Sequence, residues 1–336
     1  MMSKNGFAKP FLKWAGGKRK LMPSIIDAID EFEELGFRWR LDEGECYHEP
    51  FLGSGSVYFA LRSSGLVSDS NTSYLSDLNP ILINAMNIVK SRNNLKMRNS
   101  LNQLRTDYID EIQKDGFPKD LTSEERSKRF YYRKRSRMNE LILELDTGKR
   151  LRLDERIELA SLMVYLNKTC YNGLWRVNAK GLLNVPEGRY HSPLNIYQPD
   201  IIKQCHSLLK GAIINCRTFQ ESFKCVNPGD LIYIDPPYLP LSVGEYVFTS
   251  YFTQGFDLDD HIELARCAVE AVTSGARVIA SNNDTEEVRE IYKKAAEKAN
   301  ISEPVFVTVP IKRTMSSKGQ GRVSVNEVLI FMYDCK

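Results

Sequence analysis

The N-terminal part of the chain alternates short apolar segments with helical periodicity. Apolar segments at residues 45–50 and 74–77 predict strands, and the second of them ends in an acidic residue. A glycine-rich turn at residues 51–55 joins the first strand to a predicted helix that runs to about Arg62, and another helical pattern begins at Asn79. Strand, glycine turn, helix, strand, acid and helix, in this order, predict the beginning of an α/β nucleotide-binding fold.

The middle of the chain has a different pattern. Residues 91–166 show helical periodicity and high charge density without any strand pattern. Glycines and polar residues between positions 171 and 190 then predict a β-hairpin with residues 178–181 at its tip. Short apolar runs resume afterwards, at 213–214, 231–234, 278–280, 305–309 and 328–332, with helical patterns near 258–273 and 285–298. The sheet is therefore expected to close after an insertion.

Length and composition agree with this organisation. A chain of 336 residues, 42% hydrophobic and 26% charged, has ordinary globular composition and is long enough for one sizeable domain and a smaller one. We predict a core of residues 1–90 and 205–336 and an inserted domain of residues 91–204. No apolar run reaches the roughly 18 residues that a membrane span needs, and the N-terminus lacks a signal pattern, so we expect a cytoplasmic protein.

The net charge excludes few classes of function, and the spacing of cysteines and histidines does not suggest a metal site. The formal net charge is only +3, so nucleic-acid binding would depend on a local basic face. The 7 cysteines are scattered without CxxC spacing, and the 4 histidines show neither HExxH nor HxH spacing. We therefore expect neither a disulfide framework nor a metal site.

The sharpest chemical signal is an apolar strand that ends in Asp235, Pro236, Pro237 and Tyr238. Ligands of open α/β sheets bind at this end of a strand. The Asp235 carboxylate and the Pro236 carbonyl can each accept one hydrogen of an exocyclic amine, whose lone pair is otherwise delocalised into its ring. Two prolines fix the direction of that carbonyl, and the Tyr238 ring can stack on a base. Alone, the tetrapeptide would also fit a rigid turn.

The chain contains five motifs that are separated in the sequence. They are residues 11–18 (FLKWAGGK), 49–56 (EPFLGSGS), 76–79 (SDLN), 166–190 with the predicted hairpin, and 235–238 (DPPY). Together they resemble the Dam-type, D12 class, N6-adenine DNA methyltransferases over nearly the whole length. The resemblance implies an S-adenosylmethionine-dependent, Rossmann-like methyltransferase core with an inserted helical and β-hairpin domain that recognises DNA. It also implies methyl transfer to N6 of an adenine flipped out of duplex DNA, within GATC.

The resemblance also assigns the residues that bind the cofactor. Besides Asp235, they are Trp14, Lys18, Phe51, Gly53, Gly55, Asp77 and Phe219. Gly53 and Gly55 allow close backbone approach, and Asp77 can bind both ribose hydroxyls. Trp14 would also fit as a core aromatic residue, and core packing explains Phe219 nearly as well, because Thr218 stands where many relatives carry an acid.

Two other nucleotide motifs fit less well. An NAD site is the weaker interpretation of the glycine turn, because Tyr58 occupies the position of the third glycine in GxGxxG. A phosphate loop at Gly16, Gly17 and Lys18 is excluded, since Leu12 replaces its first glycine and Arg19 its Ser or Thr.

For DNA, the resemblance implies contacts from the N-terminal motif and the hairpin. The residues are Lys13, Tyr171, Asn172, Leu174, Arg176, Pro186, Arg189 and Tyr190. Arginine can bridge guanine O6 and N7, an apolar side chain can meet a thymine methyl, and Tyr171 and Asn172 would fill or flank the gap left by the base. A polar hairpin with a solvated face is the alternative. The basic run 128–137 fits a phosphate-contacting face or a solvated helix equally well, and the resemblance assigns no role to residues 116–154.

We therefore expect a monomeric enzyme that acts on double-stranded DNA, without a metal or a membrane. A cytosine-N4 methyltransferase is the nearest alternative, because that amine poses the same chemical problem. A catalytically silent DNA-binding regulator would keep the fold, although the intact Asp77 and Asp235 argue against it. Methylation of RNA or of a protein glutamine is a third alternative. A restriction-modification enzyme, a stand-alone regulator and a phage enzyme would share this sequence pattern.

Overall fold

The computed structural model describes residues 6–113, 122–188, 196–239, 255–312 and 324–334. Within them one sheet of seven strands has the order β3-β2-β1-β4-β5-β7-β6. The strands are β1 (Tyr47–Glu49), β2 (Ser73–Asp77), β3 (Ile213–Cys216), β4 (Leu231–Ile234), β5 (Arg277–Asn283), β6 (Val305–Lys312) and β7 (Ser324–Met332). Strands β1 to β5 pair in parallel, whereas β7 runs antiparallel to both β5 and β6.

Helices connect and cover these strands. They are α1 (Met22–Glu34), α2 (Ser56–Ser64), α3 (Pro80–Lys90), α4 (Asn94–Gln113), α5 (Ser123–Asp146), α6 (Leu153–Thr169), α7 (Pro199–Leu208), α8 (Phe219–Phe223), α9 (Leu258–Thr273) and α10 (Glu286–Ala299). Local sequence explains several of their ends. The side chain of Asn79, for example, accepts hydrogen bonds from the backbone N–H groups of Ile81 and Leu82, and Pro80 occupies the first helical position. Among the described helices, none combines the length and apolar character needed to cross a membrane.

The mixed α/β class and the mostly parallel sheet confirm the prediction from the sequence. The predicted strands and helices occur within a few residues of their expected positions. The order of the strands, the antiparallel β7 and the short helices α7 and α8 were not predicted. The predicted hairpin is present in a short form, with antiparallel bridges between Cys170 and Glu187 and between Val177 and Leu183.

Two hydrophobic clusters cover the two faces of the sheet. Successive side chains of a strand point to opposite faces, so in β4 Leu231 and Tyr233 join one cluster and Ile232 and Ile234 join the other. Buried residues of the inserted helices, such as Phe130, belong to the first cluster. The insertion therefore shares its hydrophobic core with one face of the sheet. Its boundaries at residues 91 and 204 remain a prediction.

Candidate active site

Three carboxyl groups lie at one edge of the sheet. Asp77 ends β2, Glu49 ends β1 and Asp235 directly follows β4. These strands are parallel neighbours in the order β2-β1-β4, so their carboxyl ends meet at the same edge. We call Asp77, Glu49 and Asp235 the acidic row. Over the part of the chain that the structure describes, no group of three His, Cys, Asp or Glu residues could hold a metal ion.

The glycine-rich turn that follows β1 has little room for side chains at two of its positions. Gly53 and Gly55 have φ angles of 49° and 73°, in the left-handed region that favours glycine. A Cβ atom at Gly53 would lie 3.0 Å from Cδ1 of Trp14, and one at Gly55 would lie 3.0 Å from Cε2 of Phe59. Glycine is therefore required at both positions, and the backbone of the turn borders the acidic row.

Asp77 holds the glycine turn in place. Its Oδ2 accepts a hydrogen bond of 2.9 Å from the Gly53 N–H, and its Oδ1 accepts one of 2.9 Å from the Asn79 N–H. Burial raises the pKa of Asp77 above its usual range, while these backbone hydrogen bonds oppose the rise. A carboxylate offers about four acceptor positions, so Asp77 keeps capacity for a ligand.

Glu49 is the most deeply buried member of the acidic row, at 2% exposure. Burial raises its pKa to about 8, against a hydrogen bond of 2.6 Å that the Tyr47 hydroxyl donates to Oε2. The negative charges of Asp235 and Asp77 raise that pKa further. Glu49 is the first residue of the motif at 49–56, and the sequence alone assigns it no role.

Lys18 and Ser281 both contact Asp235. The Nζ of Lys18 lies 2.7 Å from Asp235 Oδ1 and also donates to the carbonyl of Gly16, at 2.7 Å. The Ser281 hydroxyl, in the C-terminal half of β5, donates to the same Oδ1 at 3.0 Å. Burial raises the pKa of Asp235, and the ammonium and hydroxyl groups oppose that rise. Lys18, assigned from the resemblance to the cofactor pocket, thus lies against the predicted catalytic carboxylate.

Tyr238 is held from two sides. Its hydroxyl donates a hydrogen bond of 3.0 Å to Glu327 Oε2 on β7, and the Nζ of Lys18 lies 4.5 Å from the ring centroid. Sequence reasoning missed both Ser281 and Glu327. Ser281 follows a predicted buried strand at its carboxyl end, and Glu327 is an acid inside an apolar strand, so each carried a weak signal.

The two prolines between Asp235 and Tyr238 are supported from α9 and β5. Burial lowers the pKa of His261 to about 4, and the imidazole bonds to the backbone of Pro237. After the motif, the Leu239 N–H donates to Asn282 Oδ1 at 3.3 Å, and the Asn283 amide donates to the Leu239 carbonyl. The path of the predicted catalytic turn is therefore fixed by neighbours that lie far from it in the sequence.

Phe219 and Phe51 form an aromatic cluster beside the row. Their ring centroids are 5.7 Å apart in a stacked arrangement, and Phe256 packs edge-on against both. Thr218 caps α8, because its side chain accepts from the Glu221 N–H at 3.2 Å. Phe219 is buried in this cluster, and its predicted contact with a cofactor adenine remains a prediction.

The N-terminal motif is joined to the hairpin region. Oδ1 of Asn167 accepts from the Lys13 N–H at 2.7 Å, and Nδ2 donates to the carbonyls of Lys13 and Gly173, at 2.7 and 3.1 Å. Beside this contact the rings of Trp14 and Trp175 stack with centroids 5.9 Å apart. Asn167 lies within the motif at residues 166–190, and the sequence alone assigns it no role. The contact brings Lys13 next to the hairpin, as the DNA-binding prediction requires.

The other described residues that are predicted to contact DNA lie along the hairpin or directly before it. Tyr171 and Asn172 are exposed, and Asn172 has a left-handed backbone with φ of 56°. Nε of Arg176 donates to Asn184 Oδ1 at 2.9 Å, across the hairpin. Leu174 is half-buried and Pro186 is exposed. The last two predicted contacts, Arg189 and Tyr190, lie outside the described residues.

The basic run on α5 is partly neutralised. Arg133 pairs with Glu111 at 3.1 Å, and Lys134 lies 4.0 Å from Asp107, both on α4. Arg137 pairs with Glu158 on α6 at 2.9 Å. These three cations bind the neighbouring helices, which weakens the phosphate-contact interpretation for them.

Known proteins match this chain over nearly its whole length. The family described as D12 class N6 adenine-specific DNA methyltransferase matches residues 14–305. The Type II methyltransferase M.MjaIII of Methanocaldococcus jannaschii is 33% identical over 97% of this chain and 99% of its own length. The DNA adenine methylase of Serratia marcescens is 34% identical over 98% of each chain. That of Escherichia coli K12 is 32% identical, over 98% of this chain and 95% of its own. The matched region contains the acidic row, the hairpin and the Asp-Pro-Pro-Tyr segment.

Proposed function

The chain belongs to the D12 class N6 adenine-specific DNA methyltransferase family, and from this premise we propose that it transfers a methyl group from S-adenosylmethionine to N6 of an adenine flipped out of duplex DNA, within GATC. The observation that carries the proposal is the acidic row beside the glycine turn, with Lys18 and Tyr238 placed around Asp235. Two of the relatives are named as DNA adenine methylases, which supports adenine as the target.

The residues at the strand ends fit S-adenosylmethionine. This cofactor supplies a methyl group on a positively charged sulfonium, and the transfer leaves a neutral thioether. Asp77 and Asp235 of the acidic row would offer carboxylates to such a cation, and the absence of side chains at Gly53 and Gly55 would let a ligand approach the backbone of the turn. Asp77 would hold the ribose hydroxyls. Trp14, Lys18, Phe51 and Phe219 complete the pocket that we propose.

Asp235 and Pro236 would hold the target amine. The amine is a poor nucleophile while its lone pair is delocalised, and two acceptors for its hydrogens draw the nitrogen toward a tetrahedral geometry. Lys18 opposes the rise in the Asp235 pKa that burial causes, so it favours the carboxylate form, which is the stronger acceptor. Ser281 donates to the same oxygen and restricts the rotation of the carboxylate. With the amine held in this way, its lone pair would be available for direct displacement of the methyl group, without a covalent enzyme intermediate.

Tyr238 would form a stacking surface for the extruded base. The hydrogen bond to Glu327 fixes the hydroxyl end of the ring before a base arrives. Base–aromatic stacking contributes about 1–3 kcal/mol per base in single-strand binding proteins, which offsets part of the cost of unstacking the adenine.

The inserted residues 91–204 would read the DNA, and residues 1–90 and 205–336 would form the catalytic core. Arg176 and Lys13 would contact guanines, while Leu174 and Pro186 would meet thymine methyl groups. Tyr171 and Asn172 would fill or flank the gap left by the flipped base, and Arg189 and Tyr190 would contact the GATC site. The exposure of Lys13, Tyr171 and Asn172 beside one another supports this surface.

The proposal is tested by methylating plasmid DNA with the purified protein and labelled S-adenosylmethionine. Nucleoside analysis of the product should give N6-methyladenine, and digestion with methylation-sensitive and methylation-dependent nucleases should show modification at GATC. N4-methylcytosine would contradict the adenine target, and protection of another site would contradict GATC. The Asp235→Ala protein is the control for contaminating activity.

A further inference from the structure

The two limbs of the hairpin pair through main-chain hydrogen bonds, which include Tyr171 N–H to the Pro186 carbonyl at 2.9 Å and Gly188 N–H to the Thr169 carbonyl at 2.8 Å. The Asn178 N–H donates to the Leu182 carbonyl at 2.9 Å and the Asn184 N–H to the Arg176 carbonyl at 3.1 Å, on either side of Leu183. Successive residues of a strand direct their N–H and C=O groups to opposite edges, so those of Leu183 face away from the first limb. Two strands alone are marginally stable in water. The outer edge of the second limb therefore requires other partners.

Helix α5 supplies these partners through side chains. Nδ2 of Asn139 donates to the Leu183 carbonyl at 3.1 Å, and the Leu183 N–H donates to Asn139 Oδ1 at 3.0 Å. One amide side chain thus exchanges both hydrogen bonds with Leu183, as the opposite residue of an antiparallel strand would. The Val185 carbonyl accepts from the Tyr131 hydroxyl at 2.9 Å and from Nη1 of Arg135 at 3.0 Å.

The spacing of these groups matches the geometry of a strand. The residues of α5 that contact the second limb occur every four positions on one face of the helix. They are Ser127, which donates to Glu187, Tyr131, Arg135 and Asn139. Four helical residues advance about 6 Å, and two strand residues advance about 6.6 Å. The step from Asn139 to Arg135 therefore follows the step from Leu183 to Val185. The ion pairs of Arg133, Lys134 and Arg137 hold the helix against α4 and α6.

We propose that side chains of α5 supply the hydrogen bonds that a third strand would give to the hairpin. Asn139 is then the positioning residue that sets the register of the second limb. This limb carries Pro186 and also Asn184, whose Oδ1 accepts from Nε of Arg176 at 2.9 Å. The location of the Arg176 guanidinium thus depends on Asn139 through two hydrogen-bonded steps. The effect of Asn139 on the reading of DNA sequence rests on the proposed function. The mechanical link, by which Asn139 holds Leu183 and thereby Asn184 and Arg176 in place, does not.

The mechanical link is tested without DNA, by amide hydrogen exchange measured with NMR. Asn139→Ala removes the acceptor of the Leu183 N–H, so the protection of this amide should fall by roughly 2- to 12-fold, the range that one net hydrogen bond provides. Ser136→Ala is the matched control, because Ser136 is exposed on the same helix and lies outside the set Ser127, Tyr131, Arg135 and Asn139. Unchanged protection of Leu183 in Asn139→Ala would overturn the proposal.

The consequence for reading is tested by kinetics on duplexes that each carry one changed base pair of the methylated site. In Asn139→Ala the ratio of kcat/KM between the methylated and altered sites should fall by several-fold, with the S-adenosylmethionine Kd unchanged. Asn139→Asp keeps the shape but sets a charge against the Leu183 carbonyl, so it should lower the ratio at least as much.

The outcomes separate this inference from the proposed function. A wild-type protein that methylates no DNA would refute the proposed function and the reading role, and hydrogen exchange would still decide whether α5 completes the hairpin. A wild-type protein that discriminates normally, with Asn139 variants that lose activity equally on every duplex and unfold at a lower temperature, would reduce Asn139 to a structural residue and overturn the positioning role.

Discussion

The strand-end site and the hairpin are held by different kinds of hydrogen bond. The acidic row occupies the ends of three parallel strands, so the main-chain ladder of the sheet sets its spacing. The second limb of the hairpin has main-chain partners on its inner edge, whereas its outer edge depends on side chains of α5, above all Asn139. A substitution in the row should therefore change chemistry or ligand binding and leave the sheet in place. A substitution at the hairpin should change geometry in a graded way, and thus selectivity.

Asp235→Ala is expected to give the largest effect and tests whether the row acts on chemistry. Methyl transfer should fall by roughly 10²–10⁴-fold, the range for one group that acts on the reacting atoms, while S-adenosylmethionine binding changes by an order of magnitude or less. Asp235→Asn should be milder, because its amide oxygen still accepts one hydrogen bond. Single-turnover kinetics and calorimetry measure the two quantities.

The control is Asp200→Ala, which removes an exposed acid on α7, 91% accessible. Near-normal turnover of Asp235→Ala would remove this carboxylate from the mechanism.

Asp77→Ala should produce the next largest effect. It removes a charge-assisted acceptor worth about 1.5–3 kcal/mol per hydrogen bond, so S-adenosylmethionine should bind roughly 12- to 160-fold more weakly. It also releases the N–H groups of Gly53 and Asn79, so part of the loss comes from the turn. Calorimetry on the DNA-free protein measures the Kd. An unchanged Kd would make Asp77 a purely structural residue of the turn.

Arg176→Ala tests the hairpin side of the comparison. A bidentate contact to guanine contributes about 1–3 kcal/mol of discrimination, so kcat/KM on GATC should fall roughly 5- to 150-fold while sites changed at that base pair lose little further. Discrimination would then relax at one position. Lys180→Ala, at the exposed tip of the hairpin, should leave discrimination intact. If Arg176 only binds a phosphate, activity on all duplexes will fall alike, and the salt dependence of binding will become shallower by about one unit of slope.

Glu49→Gln should have the smallest effect on activity, and its main effect should be on the pH dependence of stability. The folded pKa of Glu49 is about 8 and its ordinary value is 4.5, so between these limits the folded protein binds one more proton than the unfolded chain. This contribution to stability is complete below pH 4.5 and is lost as the pH rises through about 8. The slope is at most about 1.4 kcal/mol per pH unit.

Glu49→Gln should flatten that slope, measured by chemical unfolding at several pH values, and Glu287→Gln, an exposed acid on α10, should not. An unaltered slope in Glu49→Gln would mean that another group binds the proton.

Much of the architecture could be read from local patterns. The strands around Tyr47 and Ile234 and the helix that begins after Asn79 follow from periodicity and capping, which depend on residues close in the chain. The motif that contains Asp235 was equally visible, because its acid and prolines are contiguous. The family that these motifs resembled is the family that the comparisons identify.

What the sequence by itself determined is thus most of the elements, the family and the residues that we predict to react. Only the tertiary structure decided their partners: Lys18 and Ser281 at Asp235, Glu327 at Tyr238, and Asn139 at Leu183. The physical reason is that each of these contacts joins residues whose distance depends on strand order and helix packing. A side chain such as Asn139 has no local signature of its role, since its two hydrogen bonds complete a ladder that exists only after the helix has packed against the hairpin.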